Sequence, residues 1–190
     1  MKKILFTAAL AVTGFASQAQ STWTVDKSHG NAGFIISYMT VSEMLGTFKS
    51  YDASITTTKD DFTDATIEFN AEVKSIDTDN EGRDKHLQSA DFFDAEKYPT
   101  LNFKSTSFKK IDDKNYSVTG ELTIHGITKT VTLNALYKGS VTNPRSKKET
   151  VAFKVTGKAK RSDFKIAPEM TDDLVGDEFQ IFAYLAFSKN

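Results

Sequence analysis

The residues best suited to chemistry in this chain lie between positions 83 and 94, in a stretch without a strand pattern. Arg83, Asp84 and His86 lie close together there, and Asp91 follows. A histidine beside carboxylates suits a general acid–base catalyst or a metal site, because imidazole exchanges a proton or a ligand near neutral pH. The same residue types at helical spacing also form an ordinary solvated helix with local ion pairs. The segment therefore admits an enzymatic and a structural interpretation.

Specific catalytic patterns are weak in the rest of the chain. Its three histidines, His29, His86 and His125, are far apart in sequence, whereas a metal site needs two or three ligands brought together. There is no Gly-x-Ser-x-Gly elbow, and Ser89 and Asp84 are near His86 only in sequence, while triad members usually meet through the fold. A metal-assisted or general acid–base hydrolase that uses His86 and its acidic neighbours remains the alternative function.

The start of the chain has the pattern of a secretory signal peptide. A positively charged beginning is followed by an apolar run over residues 4–16 and by the small-x-small sequence Ser17-Gln18-Ala19. The run is too short to anchor the protein in a bilayer, since a spanning helix needs about 20 apolar residues. We expect residues 1–19 to be removed by cleavage near Ala19. This predicts a periplasmic or secreted bacterial protein with a single domain over residues 20–190.

Charge and cysteine content exclude several function classes. The chain has 24 basic and 25 acidic side chains, and two of the basic ones, Lys2 and Lys3, lie in the leader, so the mature net charge is −3. That balance disfavours a nucleic-acid binder, which normally carries a basic stripe. The absence of cysteine excludes disulfides, thiol catalysis and cysteine-ligated zinc together. We predict no cofactor and no metal.

Period-two alternation of apolar and polar residues dominates the remainder and predicts an antiparallel sheet protein. It is clearest over residues 67–73, 116–124, 131–137 and 151–159. Turn residues separate such segments, for example His125-Gly126, and this spacing favours a sandwich or an up-and-down barrel. Further strands are expected at about 30–39, at 46–57 with a change of phase that suggests a bend, from about 99, at 178–188, and as a short ninth strand at 23–26.

A single helical segment is predicted, and it suits a barrel end rather than a core. Thr78-x-x-Glu81 has the form of a capping box and opens a helix to about Gln88, in which Leu87 is the one strongly apolar residue. We interpret residues 79–98 as a helix or lid across one end of the sheet structure.

The last strand is apolar on both faces, which predicts an additional contact. Phe179 and Ile181 alternate with Phe182 and Tyr184, so one face needs cover from elsewhere in the chain or from a partner. A homodimer through this strand is therefore an expectation.

An ordered set of short motifs across residues 21–188 makes the chain resemble the YceI-like, polyisoprenoid-binding family. The motifs are Asp26-x-x-His29, Gly46-x-Phe48, Arg83-Asp84-x-His86-Leu87, Asp91-Phe92-Phe93-Asp94, Tyr98-Pro99, Gly120-x-Leu122-Thr123-x-His125-Gly126-x-Thr128-Lys129 and Arg161-x-Asp163-Phe164. The resemblance implies a lipocalin-like, eight-stranded antiparallel β-barrel with an elongated tunnel for an isoprenoid or another long-chain amphiphile. It also implies a bacterial periplasmic or secreted location and no enzymatic activity. A lipid carrier of this kind would contact membranes transiently.

The dry face of the alternation supplies the candidate lining of that tunnel. An eight-stranded barrel is about wide enough to be filled by side chains or to hold one slender ligand, so the same residues could equally form a solid core. The candidates are Phe34, Ile36, Tyr38, Phe48, Phe69, Val73, Phe103, Leu122, Ile124, Val131, Leu133, Phe153, Val155, Phe179 and Ile181.

A second set of residues is expected at one barrel mouth, where it would meet a lipid headgroup or hold a lid shut. Salt bridges that brace the mouth are the structural alternative, since partly buried charges need partners. This set is Arg83, Asp84, His86, Phe92, Phe93, Arg161 and Asp163.

Overall fold

The computed structural model describes residues 19–190, and the predicted signal peptide lies almost wholly outside them. These described residues form eleven strands and one α-helix, α1, over Glu81–Gln88. Among the described residues, no helix is both long and apolar enough to cross a bilayer. The strands are β1 Ser21–Val25, β2 Asn31–Tyr38, β3 Ser42–Phe48, β4 Tyr51–Thr57, β5 Thr66–Glu72, β6 Ile76–Asp77, β7 Thr100–Lys110, β8 Asn115–Ile124, β9 Ile127–Thr142, β10 Glu149–Lys160 and β11 Val175–Lys189.

The strands close into an eight-stranded antiparallel barrel, as predicted. The ring runs β1-β4-β5-β7-β8-β9-β10-β11 and returns to β1, with Trp23 opposite Lys189 at the closure. β2, β3 and β6 extend the barrel wall beyond this ring. β2 pairs with the first part of β11, β3 pairs with β2, and β6 pairs with β3. The short strand expected at residues 23–26 is therefore β1, which pairs with β11 next to β2 and does not add a ninth strand to the ring.

The predicted bend after Phe48 is confirmed. β3 ends at that residue and β4 begins at Tyr51, so the buried positions change from even to odd numbers. Backbone hydrogen bonds to the neighbouring chain continue through the bend between β3 and β4. The Lys49 amide donates to the Ser75 carbonyl at 3.0 Å, and the Glu72 amide donates to the Ser50 carbonyl at 2.9 Å.

The helix lies where expected, but its predicted cap is wrong. Asn80 caps α1, and its side chain accepts a hydrogen bond of 2.9 Å from the Arg83 amide. Thr78 instead uses its backbone amide and hydroxyl to bind the Asp84 carboxylate. Only Leu87 of the helix is buried, and residues 89–98 follow it as irregular chain. We call residues 81–98 the lid.

The outer face of β11 is covered by the chain itself. Phe182 belongs to the second apolar parity of the strand yet is buried, because it lies against Gly33 on the neighbouring strand, where an added Cβ would lie 3.0 Å from its ring. Tyr184 remains half-exposed beside Phe182, and the Lys154 ammonium lies 5.3 Å from its ring centre. The homodimer stays a prediction, and the apolar area open to it is smaller than the sequence suggests.

Candidate functional site

A cavity of about 310 Å³ lies inside the barrel, and its wall is almost entirely apolar. We call this cavity the tunnel. It reaches the surface at the lid end, where its lining includes the exposed side chains Tyr38, Arg83 and His86; this end is the mouth. The barrel is therefore hollow rather than filled by its own side chains.

Most of the predicted lining residues surround this one cavity. Their inward direction follows from the alternation, since the same parity faces the axis along each uninterrupted strand. The predicted residues that line the tunnel are Phe34, Ile36, Tyr38, Phe48, Phe69, Phe103, Leu122, Ile124, Leu133, Phe153, Val155, Phe179 and Ile181. Their contact with a ligand stays a prediction.

Two predicted lining residues, Val73 and Val131, lie outside the tunnel wall. Strand β5 ends at Glu72, so Val73 begins a 3-10 turn in which the alternation is lost, and its buried side chain packs in the surrounding core. Val131 is half-buried on β9, a strand that packs against a second 3-10 turn, Ser162–Phe164.

The alternation of apolar and polar residues does not predict the part of the tunnel lining that comes from irregular segments of the chain. Ile166 and Met170 line the tunnel from the segment between β10 and β11, Val175 lines it from the start of β11, and Leu87 lines it from the lid. These residues carry no periodic signal, because tertiary contacts alone place them. Gly33, Ser37 and Phe182 line the tunnel from the other parity and were missed for that reason. The remaining strand residues that were missed share the dry parity and were identifiable by extending it: Ala32, Met44, Ala53, Ile55, Ile67, Leu101, Val118, Ala135, Ala183, Leu185 and Phe187.

The tunnel ends in an aromatic layer that closes the other end of the barrel. Phe62 projects from the loop between β4 and β5, and its ring centre lies 5.6 Å from that of Trp23, 6.2 Å from that of Tyr137 and 5.5 Å from that of Phe153. Phe153 also lines the tunnel, so the Phe62 ring packs on the side of Phe153 that faces away from the cavity. We call this layer the floor; it consists of Trp23, Phe62, Phe108, Tyr116 and Tyr137.

Hydrogen bonds hold the floor loop, residues 58–65, in place. The Tyr116 hydroxyl donates to the Asp61 carbonyl at 3.0 Å, and burial raises the pKa of this phenol, which keeps it a neutral donor. Asp64 accepts bonds of 2.5 Å from the Thr57 and Thr58 hydroxyls, and these bonds hold the pKa of its carboxyl well below the usual range. Phe62 itself has a left-handed backbone with φ of 59°.

The predicted aromatic pair closes the mouth from the lid. Phe92 and Phe93 are both buried and line the tunnel. The Phe93 ring lies among barrel rings, with centres 6.3 Å from Phe34 and 6.5 Å from Phe48. The His86 ring stands edge-on to Phe92 at 4.9 Å. The apolar rings of Phe92 and Phe93 therefore cover the tunnel at the mouth, and the His86 imidazole lies beside them.

Arg83 lies between the tunnel and a second depression outside it, which is lined by both polar and apolar side chains. Its Nε donates to the Thr78 hydroxyl at 2.7 Å, and its Nη2 donates to the Thr78 carbonyl. This depression has a volume of about 460 Å³ and adjoins the mouth. Asp84 is turned away from the tunnel and binds Thr78. The residues that line the depression are Tyr38, Ser42, Glu43, Met44, Leu45, Thr78, Asp79 and Arg83.

Arg161 is buried and organises the irregular wall on the opposite side of the mouth. Its guanidinium donates to the carbonyls of Ile166, Ala167, Met170 and Val175, with distances of 2.6 Å to Ala167 and Met170. The Asp172 carboxylate lies 3.6 Å away. Asp163 lies exposed on the following turn and does not line the tunnel.

The candidate catalytic residues around His86 are not assembled for hydrolysis. The Ser89 hydroxyl donates to the His86 carbonyl at 2.7 Å, and Asp84 is bound to Thr78. The carboxylate nearest the His86 ring is Asp91, at 3.6 Å from Nε2. Within residues 19–190, no three histidine, aspartate or glutamate side chains converge as a metal site would require.

Exposed apolar side chains form a rim beside the mouth. Val41 is 88% exposed at the turn between β2 and β3, and the Met39 amide donates to the Leu174 carbonyl at 2.9 Å, which joins the two sides of the rim. Acidic residues Glu43, Asp172 and Asp173 lie next to these residues in sequence. The rim consists of Tyr38, Met39, Val41, Leu45 and Leu174.

Comparison with known proteins gives consistent matches over nearly the whole domain. A family model described as "YceI-like domain" matches residues 23–187. Protein YceI of Escherichia coli is 36% identical over 174 residues, which cover 90% of each chain. The crystal structure of Burkholderia cenocepacia BcnA superposes with a TM-score of 0.77 at 24% identity, over 85% of this chain and 98% of that one. A polyisoprenoid-binding domain from Saccharophagus degradans superposes with a TM-score of 0.64 at 12% identity, over 88% and 98%.

Proposed function

Because this chain belongs to the YceI-like family, we propose that it binds the apolar chain of an isoprenoid or similar amphiphilic lipid in its tunnel. The observation that carries the proposal is the hollow barrel, whose wall is apolar from the floor to the mouth. Ligand sites of small molecules have this character, with a few polar groups at one end that fix orientation. The polyisoprenoid-binding domain that shares the fold supports the class of ligand.

The size of the tunnel sets how much of a chain it holds. A cavity of about 150 Å³ lined by apolar residues accommodates benzene, with its six carbons, so about 310 Å³ accommodates roughly a dozen. Each buried methylene contributes about 0.8 kcal/mol. Affinity therefore rises with chain length until the tunnel is full.

We place the lipid headgroup in the depression beside Arg83, whose lining is polar in part. This guanidinium faces both the tunnel and the depression, so it can meet an anionic or hydroxyl headgroup while the chain lies inside. Arg161 has another role, because its donors are directed to four backbone carbonyls of the tunnel wall. Arg83 is thus assigned to recognition and Arg161 to bracing.

We propose binding without catalysis. Around the tunnel the wall is carbon almost throughout, and the titratable side chains among the described residues of its lining, Tyr38, Arg83, His86 and Arg161, all lie at the mouth. A lipid chain deep in the tunnel therefore meets no acid, base or nucleophile of the described chain.

We also propose that the protein is exported and exchanges lipid through the rim. The signal-peptide pattern of residues 1–19 supports export to the periplasm or beyond. Exposed apolar side chains beside the mouth support transient contact with a membrane, since such a patch is continuous with the lining through Tyr38. A lipid chain could then pass between bilayer and tunnel without crossing water.

Native mass spectrometry of the purified protein, with extraction and analysis of bound lipid, tests the proposal. We expect a mass increment that matches a long-chain amphiphile, and uptake of an apolar fluorophore by stripped protein. Ala183→Phe, which places a ring in the tunnel, should weaken uptake by about tenfold or more. Gln180→Phe, on the exposed face of the same strand, is the matched control. Empty protein that takes up no apolar probe would contradict the proposal.

A further inference from the structure

Phe62 closes the tunnel from a loop rather than from the barrel wall. The floor loop begins after β4 and ends before β5, yet Phe62 contacts Trp23 on β1, Tyr137 on β9 and Phe153 on β10. The loop therefore carries this ring across the lower opening of the barrel. The ring is buried, so it fills the axis beneath the cavity rather than lying in solvent.

We propose that Phe62 sets the maximum length of lipid chain that the tunnel accepts. The inference rests on the lipid binding proposed above and adds the residue that determines chain-length specificity. A chain that enters at the mouth runs down the apolar wall until its terminal carbons meet the Phe153 ring, which the Phe62 ring supports from behind at 5.5 Å. Beyond that point, the remaining floor rings leave it no path.

The floor loop is built to hold Phe62 against an incoming chain. Asp61 is tied to the barrel wall through the Tyr116 hydroxyl, and Asp64 is tied to Thr57 and Thr58 at the end of β4. The Phe62 amide donates to the Lys59 carbonyl at 3.2 Å, and the Ala65 amide donates to the Phe62 carbonyl at 3.0 Å. Because the loop is anchored on both sides of the ring, a longer chain cannot displace it at low cost.

Side-chain size predicts how far the limit moves. Phe62→Ala removes six carbon atoms from the end of the tunnel, the number in a benzene ring, so the longest accepted chain should grow by about six carbons. Phe62→Leu removes three carbons and should extend the limit by about three.

Ala135 offers a change in the opposite direction. It lies in the lowest layer of the lining, on β9, and its side chain is buried. Ala135→Leu adds three carbons inside the cavity and should shorten the limit by about three carbons. Phe164→Leu is the matched control, because Phe164 is completely buried but does not line the tunnel.

The experiment loads stripped full-length protein with an equimolar ladder of linear primary alcohols that differ by two carbons, and native mass spectrometry reads the bound distribution. We expect an upper limit in the wild type, a longer one in both Phe62 variants, a shorter one in Ala135→Leu, and no change in Phe164→Leu. If Phe62→Ala does not fold, Phe62→Leu and Ala135→Leu decide the question. An unchanged limit in the folded Phe62 variants would overturn the role of Phe62 while lipid binding stands. A wild type that binds no alcohol of any length would instead overturn the proposed function.

Discussion

The Nη2 atom of Arg161 donates a hydrogen bond of 2.6 Å to the carbonyl oxygen of Met170, whose side chain lines the tunnel mouth. The same guanidinium satisfies the carbonyls of Ile166, Ala167 and Val175 while only 4% of the residue is exposed. One side chain thus supplies partners that regular secondary structure would otherwise provide. The shape of this side of the mouth depends on that single cation.

Replacing Arg161 should therefore act on stability and on the mouth together. Arg161→Met leaves several carbonyls buried without a donor, and we expect a loss of about 3 kcal/mol or more in the free energy of unfolding. Arg161→Lys restores the charge but not the planar fork, so it should recover only part of the loss. Urea unfolding measures both.

Arg83→Met is the control for the Arg161 variants, because Arg83 is exposed at the opposite side of the mouth. Its effect on unfolding should stay within about 1 kcal/mol, whereas retention of a polar-headed lipid should fall. A large loss of stability in Arg83→Met, with unchanged retention, would reverse the two roles assigned above.

The turn that supports the end of the lid requires a glycine at position 126. Gly126 has φ of 71°, and a Cβ there would lie 2.3 Å from the Tyr98 ring. Gly126→Ala should lower stability by about 1–3 kcal/mol through backbone strain and displacement of Tyr98. Gly82→Ala is the matched control: it lies in α1, and a Cβ there would make only an ordinary contact of 3.5 Å with Asn80 Oδ1, so it should stabilise by up to about 1 kcal/mol. Thermal unfolding of both variants checks the opposite signs, and equal shifts would refute this account of the turn.

Acid should weaken the floor through Asp64. Hydrogen bonds from Thr57 and Thr58 lower the pKa of this carboxyl in the folded protein, so its contribution to stability is complete above the unfolded pKa of about 3.9 and is lost as pH falls further. Asp64→Asn should flatten the decline in unfolding free energy below about pH 4. Asp60→Asn makes the same charge change on the same loop and should leave the slope closer to that of the wild type. Parallel slopes for all three proteins would show that Asp64 does not hold the loop.

The sequence predicts the barrel better than it predicts the ends of the tunnel, because strands obey a local rule and the ends do not. Alternation requires only that each strand has one dry face, so Phe103, Leu122 and Phe153 were assigned correctly to the interior. The rule fails at Val73, where the strand has already ended. The capping-box pattern also predicts Thr78 as the helix cap, whereas Asn80 caps the helix.

The floor and the irregular wall depend on contacts between residues distant in sequence. Phe62 follows two aspartates in a polar loop, and local sequence does not show that it turns inward to meet Phe153. Arg161 was identified as part of the mouth from its motif, but its partners are backbone carbonyls, which have no signature in the sequence. The hollow interior likewise follows from packing in three dimensions rather than from parity.

The rim beside the mouth predicts how lipid reaches the tunnel. Val41→Ser combined with Leu174→Ser removes two exposed apolar side chains, and exposed substitutions of this kind change stability by only about 0.5 kcal/mol. We expect lipid uptake from phosphatidylcholine vesicles to slow by about tenfold, because less apolar surface contacts the bilayer, while uptake from detergent solution stays at the wild-type level. Ile111→Ser is the matched control, since Ile111 is 67% exposed at the opposite end of the barrel. Because Glu43, Asp172 and Asp173 lie beside the rim, anionic vesicles should also slow uptake at low salt, and added salt should reverse that effect. Equal slowing by Ile111→Ser, or slowing in detergent as well, would mean that the rim is not the surface through which lipid is exchanged.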